Sequence, residues 1–269
     1  MIRGAVLGSP ISHSLSPVMH NAAFNLLGVE GSYRAIEVPS GTLSQFLSSQ
    51  SEHFDYFSLT MPLKEEVLTL GYPTDNKTAE IQSGNTLYRR DEQFNLTSTD
   101  GSGLVSALAN IGCTTFKRVL VLGAGGTSRA VVGALDSIAE EIDVLGRSSI
   151  RQEALERAVH SSRFTYLRWS SDIEFGDYDL VVNTTPAGAA DLLADVISAS
   201  MSGILFDVIY KPWPTELAKR WSDNGGQVIN GLELLLYQGI DQLEIVLNQK
   251  LDRSTLAPHL RDVLGKAAK

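Results

Sequence analysis

Residues Val119-Leu120-Val121-Leu122 form an unbroken apolar run that stops at Gly123-Ala124-Gly125-Gly126-Thr127 and passes into a helical pattern. Ala130, Val131, Ala134, Leu135 and Ile138 fall on one face of that helix. An apolar run without alternation marks a strand covered on both faces, as in a parallel sheet. Glycines at its end let the chain turn sharply and let a diphosphate approach the amides of the helix N-terminus. The bare pattern Gly-x-Gly-x-x-Ser also suits a tight strand-to-helix turn with no ligand. The buried strand before it and the amphipathic helix after it turn the reading toward a nicotinamide dinucleotide held between Lys117 and Leu135, on Gly123, Ala124, Gly125, Gly126 and Thr127.

The next strand selects the nucleotide. A site for NAD places an acidic residue about 20 positions on, at a strand end, to accept from the ribose 2′-hydroxyl. Asp143 has that spacing but stands inside the strand Ile142-Asp143-Val144-Leu145, and the strand leaves through Gly146-Arg147-Ser148-Ser149-Ile150-Arg151. Two guanidinium groups and a hydroxyl suit a 2′-phosphate, because arginine binds phosphate in a fork. The expected cofactor is therefore NADP.

Short apolar runs alternate with helical patterns along nearly all of the 269 residues, which implies βα units and mainly parallel sheets. In the first third, strands are expected at 5–7, 33–38 and 57–60 and helices at 16–27, 42–49 and 63–70. Ser16 is the expected N-cap, with Pro17 at the first helical position. A hairpin follows, pairing 85–88 with 94–98 through a turn at 89–93. A long helix from Gly101 to Ile111 carries the main domain boundary. Beyond it come helix 128–138, strand 142–145, helix 151–159, strands 179–183 and 204–208, helix 215–223, a short strand at Val228-Ile229, and helices 232–247 and 254–265. The expected division is 1–103, 104–236 and 237–269, the last part being helices that return to the first domain.

With 22 basic and 31 acidic side chains the net charge is −9, which argues against a generic nucleic-acid binder. No apolar run approaches the roughly 20 residues of a membrane span. The first eight residues enter a strand pattern too soon for a secretory leader, so a cytoplasmic protein is expected. The single cysteine, Cys113, excludes an intrachain disulfide framework and reads as a small packed residue. His13 and His20 lack further ligands at metal-binding spacing, so no metal is expected.

The segment Gly8-Ser9-Pro10-Ile11-Ser12-His13-Ser14-Leu15-Ser16-Pro17 carries four serines between a strand and a helix start. Hydroxyls and helix amides together suit a carboxylate, although capping and turn chemistry alone explain one or two of them. With His20-Asn21 the segment closely resembles the opening motif of the shikimate dehydrogenases. Thr60-Met61-Pro62-Leu63-Lys64, Asn85-Thr86, Thr99-Asp100 with Gly103, the glycine turn with Arg129, Arg147-Ser148 with Arg151, Asn183-Thr184-Thr185-Pro186, Asp207-Val208-Ile209-Tyr210 with Pro212, and Gly231-Leu232 with Gln238 resemble that family's other motifs, in its order.

This resemblance implies two α/β domains: an N-terminal substrate domain with a mainly parallel sheet, and a Rossmann-type NADP domain. It implies reversible hydride transfer between 3-dehydroshikimate with NADPH and shikimate with NADP. Lys64 and Asp100 would be the catalytic pair. Ser14, Ser16, Thr60, Asn85, Tyr210 and Gln238 would join them in holding the substrate. Gly123 to Thr127, Gly146, Arg147, Ser148, Arg151, Val208 and Gly231 would line the cofactor site. A ketone reduction needs a hydride to carbon and a proton to oxygen, and Lys64 suits the second task. A carboxylate neighbour favours protonated lysine and desolvation favours neutral lysine, so the proton's route stays open at this point.

Ser58 and Ser98 stand where the family usually has Asn. Ser is shorter and lacks the amide's paired donor and acceptor. These departures leave quinate or an amino-substituted relative as an alternative substrate, and a ligand sensor without turnover as an alternative class. A folate- or tRNA-linked dehydrogenase is a weaker alternative, disfavoured by the serine-rich opening. The expected partners are a small-molecule substrate and at most a second copy of the chain, as monomer or homodimer, with neither nucleic acid nor membrane.

Overall fold

The computed structural model describes residues 1–169, 173–197 and 200–269. The chain divides into two compact units, one of Met1–Gly103 with Leu235–Lys269 and the other of Leu104–Leu234. In chain order the elements are β1 (Ile2–Gly8), α1 (Ser16–Leu27), β2 (Gly31–Glu37), α2 (Leu43–Gln50), β3 (Tyr56–Leu59), α3 (Leu63–Glu66), α4 (Asn76–Ile81), β4 (Thr86–Arg90), β5 (Gln93–Thr97), α5 (Asp100–Asn110), β6 (Phe116–Leu122), α6 (Gly126–Leu135), β7 (Ala139–Gly146), α7 (Gln152–Glu156), β8 (Arg163–Arg168), β9 (Leu180–Asn183), β10 (Ile204–Asp207), α8 (Glu216–Asp223), β11 (Gln227–Ile229), α9 (Gly231–Leu247) and α10 (Arg253–Ala267). Both divisions between the units fall inside helices, α5 and α9, and position 236 lies in the same helix as the second.

The first unit is built on a sheet of order β2-β1-β3-β4-β5. β1, β2 and β3 run parallel, and the hairpin β4–β5 joins antiparallel. Side chains alternate across this sheet. Phe57 and Leu59 of β3 enter the core formed with Ala5, Leu7, Leu63 and Leu87. Tyr56 and Ser58 therefore face the opposite side, where His20 and Tyr33 lie. The His20 ring stacks on Tyr33 with centroids 4.1 Å apart, and its Nδ1 shares a 2.8 Å hydrogen bond with the Tyr56 hydroxyl. Burial holds the His20 pKa down at about 3, so the ring stays neutral. Among the described residues no cluster of His, Cys, Asp and Glu is arranged to hold a metal ion.

Several expected details change in three dimensions. Ser16 is the first residue of α1 rather than its cap; the cap position is Leu15, whose side chain makes no capping bond, and the Ser16 amide donates to Ser14 Oγ at 3.3 Å. The hairpin is tighter than expected. Its turn is Asp91-Glu92, with φ of 50° and 63°, the left-handed pair that suits the twist of the strands without the usual glycine. Helix α4 has no counterpart in the periodicity, because six residues bury only Thr78 and Ile81. Asp75 starts it, accepting from the Thr78 amide at 2.9 Å. The helix at 63–70 splits into α3 and a 3-10 turn at Val67–Leu70. The one at 151–159 shrinks to α7 after the 3-10 turn Ser149–Arg151.

Helix α10 packs on α1, and ion pairs tie its start to α9. Glu244 accepts from Arg253 Nη2 at 2.7 Å and from Lys250 Nζ at 2.9 Å. Arg253 also reaches Asp241 at 2.6 Å. Burial opposes ionisation of Glu244, but the bonds from Arg253, Lys250 and the Leu251 amide outweigh it and hold the carboxyl at about 2 against an ordinary 4.5. A depressed carboxyl contributes stability above its unfolded pKa and loses it as pH falls through the folded value. Glu244→Gln is therefore expected to lower Tm near pH 6, with a gap from wild type that narrows as pH falls from 4.5 toward 2. Thermal scans across that range measure the gap, and a constant gap would contradict the assignment.

The second unit is a six-stranded sheet of order β11-β10-β9-β6-β7-β8. Every pair in it is parallel. Numbered in chain order within the unit and read from β8, this is 3-2-1-4-5-6, the doubly wound order that binds dinucleotides where the winding reverses, here at the ends of β6 and β9. The strand β8 is absent from the sequence reading. As an edge strand it is half exposed along its length and lacks the continuous apolar run of β6 or β9. Among the described residues no helix is long and apolar enough to cross a membrane.

Candidate active site

In the first unit, the loops after β1 and β3 lie side by side. The Ser9 amide donates to the Met61 carbonyl at 3.1 Å, and the Thr60 amide to the Leu7 carbonyl at 2.9 Å. Gly8 is required here, because a Cβ would strike the Thr60 methyl. The Thr60 carbonyl then accepts from the Leu63 amide at 2.8 Å, which starts the turn that presents Lys64. The Lys64 carbonyl in turn accepts from the Gly84 amide at 2.9 Å, next to Asn85.

Lys64 Nζ lies 2.5 Å from Asp100 Oδ2, with side chains 15% and 6% exposed. Asp100 is the first residue of α5. Its other oxygen accepts from Asn85 Nδ2 at 2.8 Å. The same amide group reaches Gln238 Oε1 at 3.3 Å and Thr99 Oγ1 at 3.1 Å. Asn85 Oδ1 accepts from the Thr99 amide at 2.8 Å and the Thr86 hydroxyl at 2.7 Å. Gly103 lets α5 and α9 approach at this point, since a Cβ there would stand 2.7 Å from the Gln238 nitrogen. Lys64, Asn85, Asp100 and Gln238 thus form one hydrogen-bonded cluster, assembled from three helices and the residue before β4. Thr60 joins it through the chain. Ser14 and Ser16 stand at the start of α1, where Ser14 Oγ accepts from the Ser16 amide.

In the second unit, Gly123 has φ of 105°, and a Cβ on it would lie 2.7 Å from Thr184 Oγ1. The turn after β6 therefore packs on the loop after β9, at the reversal of the sheet. Ser128 Oγ donates to the Gly123 carbonyl at 2.6 Å and closes the turn. Helix α6 starts at Gly126 with Gly125 as its cap and no capping side chain. A Cβ on Gly125 would meet only Arg151 Nη1, at 3.9 Å. This cradle, open above a helix N-terminus and flanked by a guanidinium, fits a diphosphate.

Asp143 is engaged elsewhere: its Oδ2 accepts from Arg118 Nη2 at 3.1 Å and from the Tyr178 hydroxyl at 2.9 Å. It is a buried pairing group and not the acid of an NAD site. At the end of β7, the Tyr166 hydroxyl donates to the Ser148 carbonyl at 2.5 Å, and its ring crosses Gly146 so closely that a side chain there would clash. Tyr166 pins the loop that carries Arg147 and Ser148. Sequence reasoning misses it, because it lies on the edge strand β8. Val208 and Gly231 meet, with the Gly231 amide donating to the Ile209 carbonyl at 3.2 Å and no room for a Cβ beside the Val208 carbonyl. Asp207, fully buried, orders this loop and the Tyr210 that follows. It accepts from Asn183 Nδ2 at 3.1 Å, the Ile209 amide at 3.1 Å and the Thr215 hydroxyl at 2.8 Å. Burial pushes its pKa up.

A parallel sheet wound in the dinucleotide order, with a glycine cradle at its reversal, and a separate α/β unit holding a buried lysine–aspartate pair define a nucleotide-dependent dehydrogenase. A family model described as the shikimate dehydrogenase substrate binding domain matches residues 6–87. A shikimate dehydrogenase (NADP(+)) of Staphylococcus aureus strain MSSA476 is 30% identical over 259 residues, covering 94% of this chain and 95% of the relative. The crystal structure of Mycobacterium tuberculosis shikimate dehydrogenase superposes with a TM-score of 0.86 at 30% identity, over 97% of this chain and 100% of that one. The shikimate 5-dehydrogenase of Thermus thermophilus, solved in complex with NADP(H) and shikimate, gives a TM-score of 0.83 at 31% identity, over 98% and 100%. The chain belongs to the shikimate dehydrogenase family.

Proposed function

We propose that this protein catalyses the NADP-dependent, reversible reduction of 3-dehydroshikimate to shikimate. The observation that carries the reading is the Lys64–Asp100 pair, 2.5 Å apart and nearly enclosed, held by Asn85 in the unit that the substrate-domain family model matches. Bound NADPH supplies the hydride. Lys64 as ammonium gives a proton to the carbonyl oxygen on reduction, and the amine takes it back on oxidation. Asp100 orients Lys64 and accepts from a substrate hydroxyl. Asn85, Gln238 and Thr60 bond the other hydroxyls, and Ser14 and Ser16 at the start of α1 hold the carboxylate. Gly123 to Thr127 cradle the diphosphate with Arg151 beside them, Gly146, Arg147 and Ser148 take the adenosine 2′-phosphate end, and Val208 and Gly231 line the nicotinamide end.

The Ser58 departure has a structural account. Ser58 Oγ accepts from Tyr33 and donates to Gln242, so its polarity is spent inside the fold. The net charge of −9 favours a small-molecule substrate over nucleic acid, and the single cysteine suits a reducing compartment such as the cytoplasm. Steady-state rates with shikimate and quinate, each with NADP and NAD, test the reading. Shikimate with NADP is expected to give the highest kcat/KM; faster turnover of quinate with NAD would overturn it.

A further inference from the structure

On the face of the first unit's sheet opposite the Phe57–Leu59 core, polar side chains form a continuous directed chain. The Tyr33 hydroxyl donates to Ser58 Oγ at 2.5 Å, and Ser58 donates to Gln242 Oε1 at 2.8 Å. Gln242 Nε2 donates to Thr86 Oγ1 at 2.9 Å, and Thr86 donates to Asn85 Oδ1 at 2.7 Å. Ser58 and Thr86 are cross-strand partners on β3 and β4. Gln242, fully buried on α9, bridges the two.

We infer that Gln242 is a positioning residue that fixes the Asn85 amide, and through it the Asp100 carboxylate, in the orientation the reaction uses.

Counting protons gives the chain its direction. A hydroxyl has one proton to donate. Because the Gln242 amide points its N–H at Thr86, the Thr86 proton must go elsewhere, and Asn85 Oδ1 receives it. Asn85 then has its oxygen turned toward Thr86 and the Thr99 amide, and its NH₂ turned toward Asp100 Oδ1. The flipped amide would place oxygen against carboxylate oxygen. Gln242 is itself held in one sense by Ser58, whose proton is directed to it because Tyr33 donates to Ser58. Burial keeps the Tyr33 hydroxyl protonated, so the chain has a constant donor at its far end. Gln242 touches neither Lys64 nor Asp100 by any of these bonds and acts through Asn85.

The inference rests on the assignment of Asn85 and Asp100 to the substrate site, and the experiment separates the two. Gln242→Met keeps the length and removes the amide; Thr86→Val keeps the shape and removes the hydroxyl. Each is expected to lower kcat/KM for shikimate by about tenfold, as small misplacements of reacting groups do, and to leave KM for NADP within about twofold. The double variant is expected to lose no more than either single one, because both break the same chain. Without substrate or cofactor, exchange of the Asn85 side-chain amide protons, followed by NMR, is expected to quicken by about tenfold in either variant. Losses that multiply in the double variant, or unchanged Asn85 exchange in Gln242→Met, overturn the inference. If wild type does not turn over shikimate, the proposed function fails, and the exchange measurement alone decides the role of Gln242. If Gln242→Met does not fold, Thr86→Val decides it.

Discussion

Lys64→Ala is expected to lower kcat for shikimate oxidation by about 10²- to 10⁴-fold, the range that a positioned acid or base contributes. Affinity for NADP is expected to stay within about twofold, because the cradle of Gly123 to Gly126 belongs to the other unit. The size of the effect follows from the surroundings. Lys64 Nζ lies 2.5 Å from Asp100 and its side chain is only 15% exposed, so bulk water is a poor substitute for the missing proton carrier. The variant also leaves the Asp100 carboxylate with Asn85 as its remaining side-chain donor in the cluster described, and a nearly buried charge that loses a partner is destabilised. Tm should therefore fall too, and rates must be read at a temperature where the variant is folded. Steady-state kinetics with a parallel fluorescence titration of NADPH make the separation. A variant keeping more than about a tenth of wild-type kcat would remove Lys64 from the proton's route.

The second large effect concerns the choice between the two nicotinamide dinucleotides. Arg147 and Arg151 look alike in the sequence, as two guanidinium groups after one strand. The fold distinguishes them. Arg151 Nη1 lies 3.9 Å from where a Cβ on Gly125 would be, over the diphosphate cradle. Arg147 belongs to the loop that Tyr166 pins through Ser148. Arg147→Ala is expected to weaken NADP by about tenfold to a hundredfold, as lost charge-assisted bonds to a phosphate do, and to leave NAD nearly unchanged. Arg151→Ala is expected to weaken both nucleotides. Calorimetric titration with 2′,5′-ADP and with AMP reads the 2′-phosphate contribution without turnover. Equal loss of both ligands in Arg147→Ala would assign the 2′-phosphate to another group.

The fold features that the sequence itself makes legible each have a local physical cause. The strand Val119–Leu122 is legible because a strand covered on both faces must be apolar at every position, and all four residues are fully buried. The glycine turn is legible because φ of 105° at Gly123 and the open space above Gly125 favour glycine over most side chains. Asp143 can be set aside as the ribose acid because it lies mid-strand, and its bonds to Arg118 and Tyr178 supply the reason it is there. Lys64 and Asp100 are legible only through resemblance, since a lysine after a Thr-x-Pro turn carries no local mark of its partner. The elements that escape detection also have local causes. An edge strand such as β8 needs no apolar run, and the Asp91-Glu92 turn adopts left-handed φ without the residue that usually announces it.

What the sequence by itself determined is the alternation of elements, the glycine turn after β6 and the polar residues that match the family's motifs, all of which are patterns within a few turns of chain. Only the tertiary structure decided which of those residues meet. Asn85 finds Gln238 across 153 positions, and Ser58 finds Gln242 across 184. The physical reason is that burial imprints a period on neighbouring residues, whereas a hydrogen bond between distant segments imprints nothing on either. Ser58, read alone, is a lost amide near the substrate. In the fold it is a link in a buried chain whose amide is supplied by Gln242 of α9.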